Sequence, residues 1–258
     1  MICFAFCGGA RTFQQCFEST INKVILKSYS KNDVVIFLYL KTFDPGEKDQ
    51  KGWNFSYKDI DKEILEAFIK DISKKYEINI IYYLLEKETI SGDDLYDSIY
   101  DKTKYIGYYS TKTKYDKQDE RPKSNLIRGM YMFHNFESVG YKILEYEKKN
   151  KVVFSHYVFI RPDLFFVNNM NMNIENTKTI IISGPTHIDY FVKVEKVNFF
   201  DLFFKPMCVF RNNNSIYFKN NESILWFCLK NHNIIQLKEL SQLKELYQLE
   251  ELYQIKRS

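Results

Sequence analysis

Tyr157-Val158-Phe159-Ile160-Arg161-Pro162-Asp163-Leu164-Phe165-Phe166 is an apolar run of the kind that buries as a strand, interrupted by an Arg-Pro-Asp triplet. Proline has no N–H to donate to a ladder and holds its predecessor extended. The strand is therefore expected to end here, with Arg161 and Asp163 at its carboxyl edge. In open α/β sheets that edge is where ligands bind. A guanidinium suits a phosphate or carboxylate, and a carboxylate suits a divalent cation or a sugar hydroxyl. A plain strand-to-turn junction with a surface Arg-Asp pair would use the same residues.

The N-terminus supplies a second edge of this kind. Ile2 to Phe6 is a short apolar run, Gly8-Gly9-Ala10-Arg11 breaks it, and Thr12 opens a stretch with apolar residues at Phe13, Cys16, Phe17, Ile21, Val24 and Ile25. Those offsets trace one face of a helix, so the order is strand, glycine turn, helix. Such a turn lets backbone N–H groups approach an anion at the positive end of the helix, and Arg11 adds a fixed charge there. The glycine pair matches neither GxGxxG nor P-loop spacing, and a tight turn without a ligand needs the same glycines.

Working outward, Asp33 to Leu40 is a continuous apolar run between Lys31-Asn32 and Asp44-Pro45-Gly46, as expected of a strand buried on both faces. Ile60, Ile64, Leu65, Phe68, Ile69 and Ile72 recur at helical spacing, and Ile78 to Leu85 is a third apolar run. The first third thus reads β-α-β-α-β, which specifies a doubly wound sheet with right-handed crossovers. From Glu86 to Lys123 the chain is polar with no sustained period, as in functional or mobile segments. Its tyrosines, Tyr96, Tyr100, Tyr105, Tyr108, Tyr109 and Tyr115, offer stacking surfaces for a sugar or base, or packing beneath a long loop. A helix-like stretch over residues 125–149 leads into the strand Val152 to Ile160. Thr179 to Ser183 reads as a further strand and Gly184 to Phe191 as the loop after it, which puts His187 and Asp189 just past a strand end.

The expected fold is α/β, with a Rossmann-type mixed, mostly parallel sheet flanked by helices over residues 1–236. The remainder, residues 237–258, is a low-complexity tail with Leu237, Leu240, Leu243, Leu246, Leu249, Leu252 and Ile255 every three residues. A period of three drifts by about 60° per step on a helix, so these side chains wind around it and form no coiled-coil seam. The expectation is a helical extension that makes an oligomer or partner contact.

Lys and Arg number 37 against 33 Asp and Glu, a formal net charge of +4 that argues against wholesale nucleic-acid binding. Five cysteines without a CxxC pair point to a reducing compartment, hence a cytoplasmic location, or the host cytoplasm for a viral chain. No apolar run approaches the roughly 20 residues of a membrane helix. Met1 to Cys7 lacks a basic n-region and reads as a strand, not a signal peptide.

Taken together, Phe6-Cys7-Gly8-Gly9-Ala10-Arg11-Thr12-Phe13, the Asp33 to Leu40 strand, the helix ending Tyr146-Glu147, Phe159 to Leu164 and Ile188-Asp189-Tyr190-Phe191 resemble a group of glycosyltransferase-like proteins with a GT-A type fold, found in large DNA viruses, algae and bacteria. The resemblance spans residues 1 to about 220. It implies transfer of a sugar from a nucleotide-sugar donor to a glycan or protein acceptor. Gly8, Gly9, Arg11, Arg161 and Asp44 would then bind the donor, Asp163 would lie near the metal or donor sugar, and Asp189 would be the general base. The DxD signature of GT-A enzymes is missing, and relatives commonly carry Tyr-Asp and an extra Arg where this chain has Phe154-Ser155 and Phe159. A divalent cation, Mn or Mg, would therefore need Asp163 with a second ligand such as His187 or Asp189.

Two other classes remain open at the level of sequence. A binding protein that kept the fold and lost turnover accounts for the missing signature. Nucleic-acid binding through the Tyr/Lys-rich residues 96–123 is the third, though Asp97, Asp101, Asp116, Asp119 and Glu120 dilute its charge. His134, His156 and His232 lack acidic or cysteine partners at metal-ligand spacing.

Overall fold

Strands β1 (Ile2–Gly9), β2 (Val34–Lys41) and β4 (His156–Ile160) form the centre of the sheet. Their near-continuous apolar sequences are buried on both faces, as such runs require. The computed structural model describes residues 1–10, 12–42, 60–87, 90, 94, 121–166, 169–170, 172, 179–184, 187–212, 221–229 and 234–236. Within these, only the backbone is described for 121–129, 179–190, 210–212, 221–223, 226 and 234–236. Arg11, Asp44, most of the polar stretch 86–123 and the Leu-rich tail lie outside the described residues.

With β3 (Asn79–Leu85), β5 (Thr179–Gly184), β6 (His187–Glu195) and β7 (Ile234–Gln236), the sheet has the order β3-β2-β1-β4-β6-β5-β7. β6 runs against its neighbours β4 and β5, and the other pairings are parallel. This is the mixed, mostly parallel α/β sheet expected from the sequence.

One face is covered by a helical segment made of α1 (Phe13–Thr20), a π turn (Ile21–Ile25) and α2 (Leu26–Ser28), together with α3 (Lys62–Tyr76). Phe13, Cys16, Phe17, Ile21, Val24 and Ile25 are all buried, as their spacing predicts. Phe6 meets Phe17 edge-on at 5.2 Å, and Phe13 stacks on Phe17 at 4.4 Å. The Asp61 carboxylate caps α3 by accepting from the backbone N–H groups of Glu63 and Ile64, and Glu77 closes it in the left-handed region at φ 53°. Leu65, Ile69 and Ile72 face the core, whereas Ile64 is exposed although it falls in the same apolar series.

The chain divides into two compact units. The first comprises Met1–Lys87, Val153–Lys196 and the β7 strand; the second is Glu88–Val152 with Val197–His232. The second holds α4 (Arg121–Asn150), α5 (Phe199–Phe203), α6 (Lys205–Asn212) and α7 (Asn221–Leu229). Met130, Phe133, Phe136, Val139 and Ile143 form the buried stripe of α4, and Phe136 meets Phe203 at 6.5 Å. Gly140 is where α4 admits its neighbours most closely. A Cβ there would lie 3.0 Å from Phe203 Cβ and from Phe204 Cζ.

Two expectations about local structure are corrected. The first strand does not break at Gly8-Gly9. Both glycines stay in register, opposite Leu40 and Lys41, and the turn begins at Ala10. The stretch read as a loop, Gly184 to Phe191, is the end of β5 and the start of β6, paired Gly184 to His187. His187 and Asp189 are therefore strand residues. The strand was missed because Gly184-Pro185 reads as a loop signal and only Ile188 is apolar among the first three residues of β6.

Candidate functional site

Ile160 is the last paired residue of β4, opposite Phe6 of β1 and Phe191 of β6. Beyond it the chain turns at once: the Leu164 N–H donates to the Arg161 carbonyl at 3.3 Å, with Pro162 in the second position of the turn. The turn brings Arg161 and Asp163 onto one another in a two-pronged pair. Arg161 Nε donates to Asp163 Oδ1 at 3.0 Å and Nη2 to Oδ2 at 2.7 Å. Both side chains remain about a quarter exposed, 27% and 28%, so the pair is reachable from solvent. The pair holds the guanidinium in one plane at the end of β4, the planar, bidentate geometry that suits recognition of an oxyanion.

Gly8 is the neighbour that makes room for this turn. Its φ is +143°, and a Cβ there would lie 3.3 Å from Pro162 Cδ and 3.5 Å from Cγ. After Gly9 the Ala10 N–H donates to the Lys41 carbonyl at 2.9 Å, and the Phe13 N–H closes on the Ala10 carbonyl at 3.0 Å. Thr12 precedes α1 without capping it. Its hydroxyl is buried with no hydrogen-bond partner among the described residues, which leaves a polar atom at the amino end of α1.

Lys41 and Thr42, at the carboxyl end of β2, were missed in the sequence because the apolar run stops at Leu40. Both are buried, Lys41 directly opposite Gly9. A cation immediately following a fully buried strand is the signal that marks it. Thr42 donates its hydroxyl to the Leu85 carbonyl at 3.1 Å. Beside it an open cleft of about 710 Å³ is lined by Thr42, Asp61, Lys62, Glu63, Glu66 and Glu86.

The sheet therefore brings together Gly8, Gly9, Arg161 and Asp163 on one edge. His187 and Asp189 belong to the same side by register, since they precede Phe191 on the antiparallel strand beside β4. Asp163 offers both oxygens to Arg161, and among the described residues no group of three His, Cys, Asp or Glu side chains suitable for a metal occurs; the side chains of His187 and Asp189 lie outside them. At the opposite end of β4, burial and the Lys193 charge hold the His156 imidazole below its ordinary range, and burial lowers the Lys193 ammonium as well.

Among the described residues no helix is long and apolar enough to cross a membrane. No protein-family model and no curated protein matches this chain. Among solved structures the chain is similar to the glycosyltransferase GlyE of Streptococcus pneumoniae TIGR4, at 9% identity and a TM-score of 0.42. The match covers 94% of this chain and 46% of that one, so the chain spans less than half of GlyE's length. It is also similar to mouse xyloside xylosyltransferase 1 in its apo form, at 8% identity and a TM-score of 0.40, covering 92% and 84% of the two chains.

Proposed function

We propose that this protein is a glycosyltransferase that takes a sugar from a nucleotide-diphosphate-sugar donor and passes it to a glycan or protein acceptor. The observation that carries the reading is the Arg161–Asp163 pair, held at the carboxyl end of a central strand against the glycine-terminated β1. Asp163 orients the Arg161 guanidinium, whose fixed charge suits a diphosphate and stabilises it as it departs. The Gly8-Gly9 strand end and the amino end of α1 supply backbone N–H groups to the same anion. Asp189 is the candidate general base by its position on β6, where a carboxylate would accept the acceptor hydroxyl's proton. No step is assigned to a cation.

A second reading, a nucleotide-sugar binding protein without turnover, is favoured by that same engagement of Asp163. Calorimetry with a panel of nucleotide sugars, run with Mn, Mg or EDTA and followed by an assay for donor hydrolysis, separates the two. The transferase binds a donor in EDTA and hydrolyses it slowly; the binding protein only binds. Arg161→Ala is expected to weaken donor binding by about 1.5–3 kcal/mol, the range for hydrogen bonds to a charged group. Its melting temperature should move little, because an ion pair that solvent still reaches adds about 1 kcal/mol to stability. Undiminished affinity in Arg161→Ala, or no nucleotide sugar bound by the wild type, would refute the reading.

A further inference from the structure

Buried polar side chains are rare in this core, and three of those in the first unit, Thr20, Ser28 and Lys193, converge on one piece of chain. That piece is the segment leaving the Arg161-Pro162-Asp163 turn, from Leu164 to Met172. Its described residues, 164–166, 169–170 and 172, belong to no strand or helix, yet Leu164, Phe166 and Met172 are buried. Its backbone polar groups must be satisfied by something other than a ladder.

At Leu164, Phe166, Met170 and Met172 the α1–π–α2 segment supplies partners. The Phe166 N–H donates to Ser19 Oγ at 3.2 Å, and Thr20 Oγ1 reaches the Leu164 carbonyl at 3.5 Å. The Met170 N–H donates to the Lys23 carbonyl at 2.7 Å. Lys23 lies in the π turn. Ser28 works in both directions: its Oγ donates to the Met170 carbonyl at 3.2 Å and accepts from the Met172 N–H at 2.7 Å. The Met172 carbonyl then receives Tyr29 OH at 3.3 Å and Lys193 Nζ at 3.0 Å, with the ammonium 5.6 Å from the centre of the Tyr29 ring.

We infer that this lacing is a tether that fixes the Arg161–Asp163 turn, and that Ser28 is a positioning residue for it although it touches neither side chain. The far end of the segment is anchored by the Ser28, Tyr29 and Lys193 cluster and the near end by Ser19 and Thr20, so slack at Ser28 passes through the Met170 and Phe166 bonds to Leu164. Its consequence for donor binding rests on the glycosyltransferase reading; the tether does not.

The test measures amide hydrogen exchange by mass spectrometry on the full chain, comparing wild type with Ser28→Ala, Ser28→Thr and Ser19→Ala. Loss of one such bond is expected to speed exchange roughly 5–10-fold at Met172 and also at the distant Leu164, with β2 and α3 unchanged. Ser28→Thr should restore both, and Ser19→Ala should loosen Phe166 and Leu164. Donor KM should rise in Ser28→Ala more than kcat falls, again with rescue by Ser28→Thr. Faster exchange confined to Met172, with Leu164 as in wild type, overturns the tether. Faster exchange at Leu164 with an unaltered KM overturns the positioning role. A wild type that binds no nucleotide sugar defeats the proposed function instead, and exchange at Leu164 then decides the tether alone.

Discussion

Replacing Gly8 by alanine tests how tightly the end of β1 and the Arg-Pro-Asp turn are fitted together. Two costs can be worked from the structure. At φ +143° an L side chain occupies a region that costs of order 1–3 kcal/mol. The new Cβ would also press on Pro162 Cδ from 3.3 Å, so the turn must yield by a few tenths of an ångström. Against these, removing glycine from the unfolded chain returns about 0.4–1 kcal/mol. The net expectation is a loss of about 1–2 kcal/mol. For a chain of this size that is roughly 2–8 °C in melting temperature. Urea unfolding followed by circular dichroism measures it. The double variant Gly8→Ala/Pro162→Ala separates the two costs, because it removes the contact and keeps the dihedral strain. Gly8→Ala within about 0.5 kcal/mol of wild type would mean that β1 can relax freely here, and the coupling of Gly8 to Pro162 would be refuted.

Gly140→Ala should also destabilise, despite the roughly 1 kcal/mol that alanine adds to a helix. Its Cβ would meet the Phe203 Cβ, which cannot swing aside as a chain end would, so overpacking of about 1–3 kcal/mol wins; a stabilised variant in a thermal melt would contradict this. Burial pushes the Tyr29 hydroxyl up to about 12 from its ordinary 10. The unfolded chain therefore loses this proton first, and the stability the neutral hydroxyl contributes is complete below pH 10 and falls between pH 10 and 12. Tyr29→Phe should flatten that alkaline limb by at most about 2.7 kcal/mol, less whatever solvent screens, in urea melts taken from pH 9 to 11.5. An alkaline limb identical to the wild type's would remove Tyr29 from the account.

The central strands were legible because double-sided burial writes itself as continuous apolar sequence. Asp33 to Leu40 and Tyr157 to Ile160 carry that signature, and Pro162 marks where it stops. α3 was legible from its period, but Ile64 shows that period alone does not tell the rim of an apolar stripe from its centre. β6 was read as a loop because its first residues are mixed in character and its pairing is settled by β4 and β5, which are distant in sequence. At the site, sequence named Arg161 and Asp163 and offered their pairing as one of two readings; the turn supplied the geometry. Lys41, Ser28 and Lys193 escaped notice because lysine and serine normally face water. Only the backbone carbonyls and N–H groups brought to Ser28 and Lys193 by folding make their burial tolerable.

The pairing of β1 with both β2 and β4 also sets a timetable for synthesis. β1, β2 and β3 can assemble from the first 85 residues. The other edge of β1 must wait for His156 to Ile160, roughly seventy residues later, which at about 5–20 residues per second is some 4–14 seconds. Throughout that interval an eight-residue apolar strand presents open N–H and C=O groups, the condition that invites pairing with other chains. The nascent chain is thus most exposed to aggregation before its central strand has its second neighbour, and β4 closes that edge with the same strand that delivers Arg161 and Asp163.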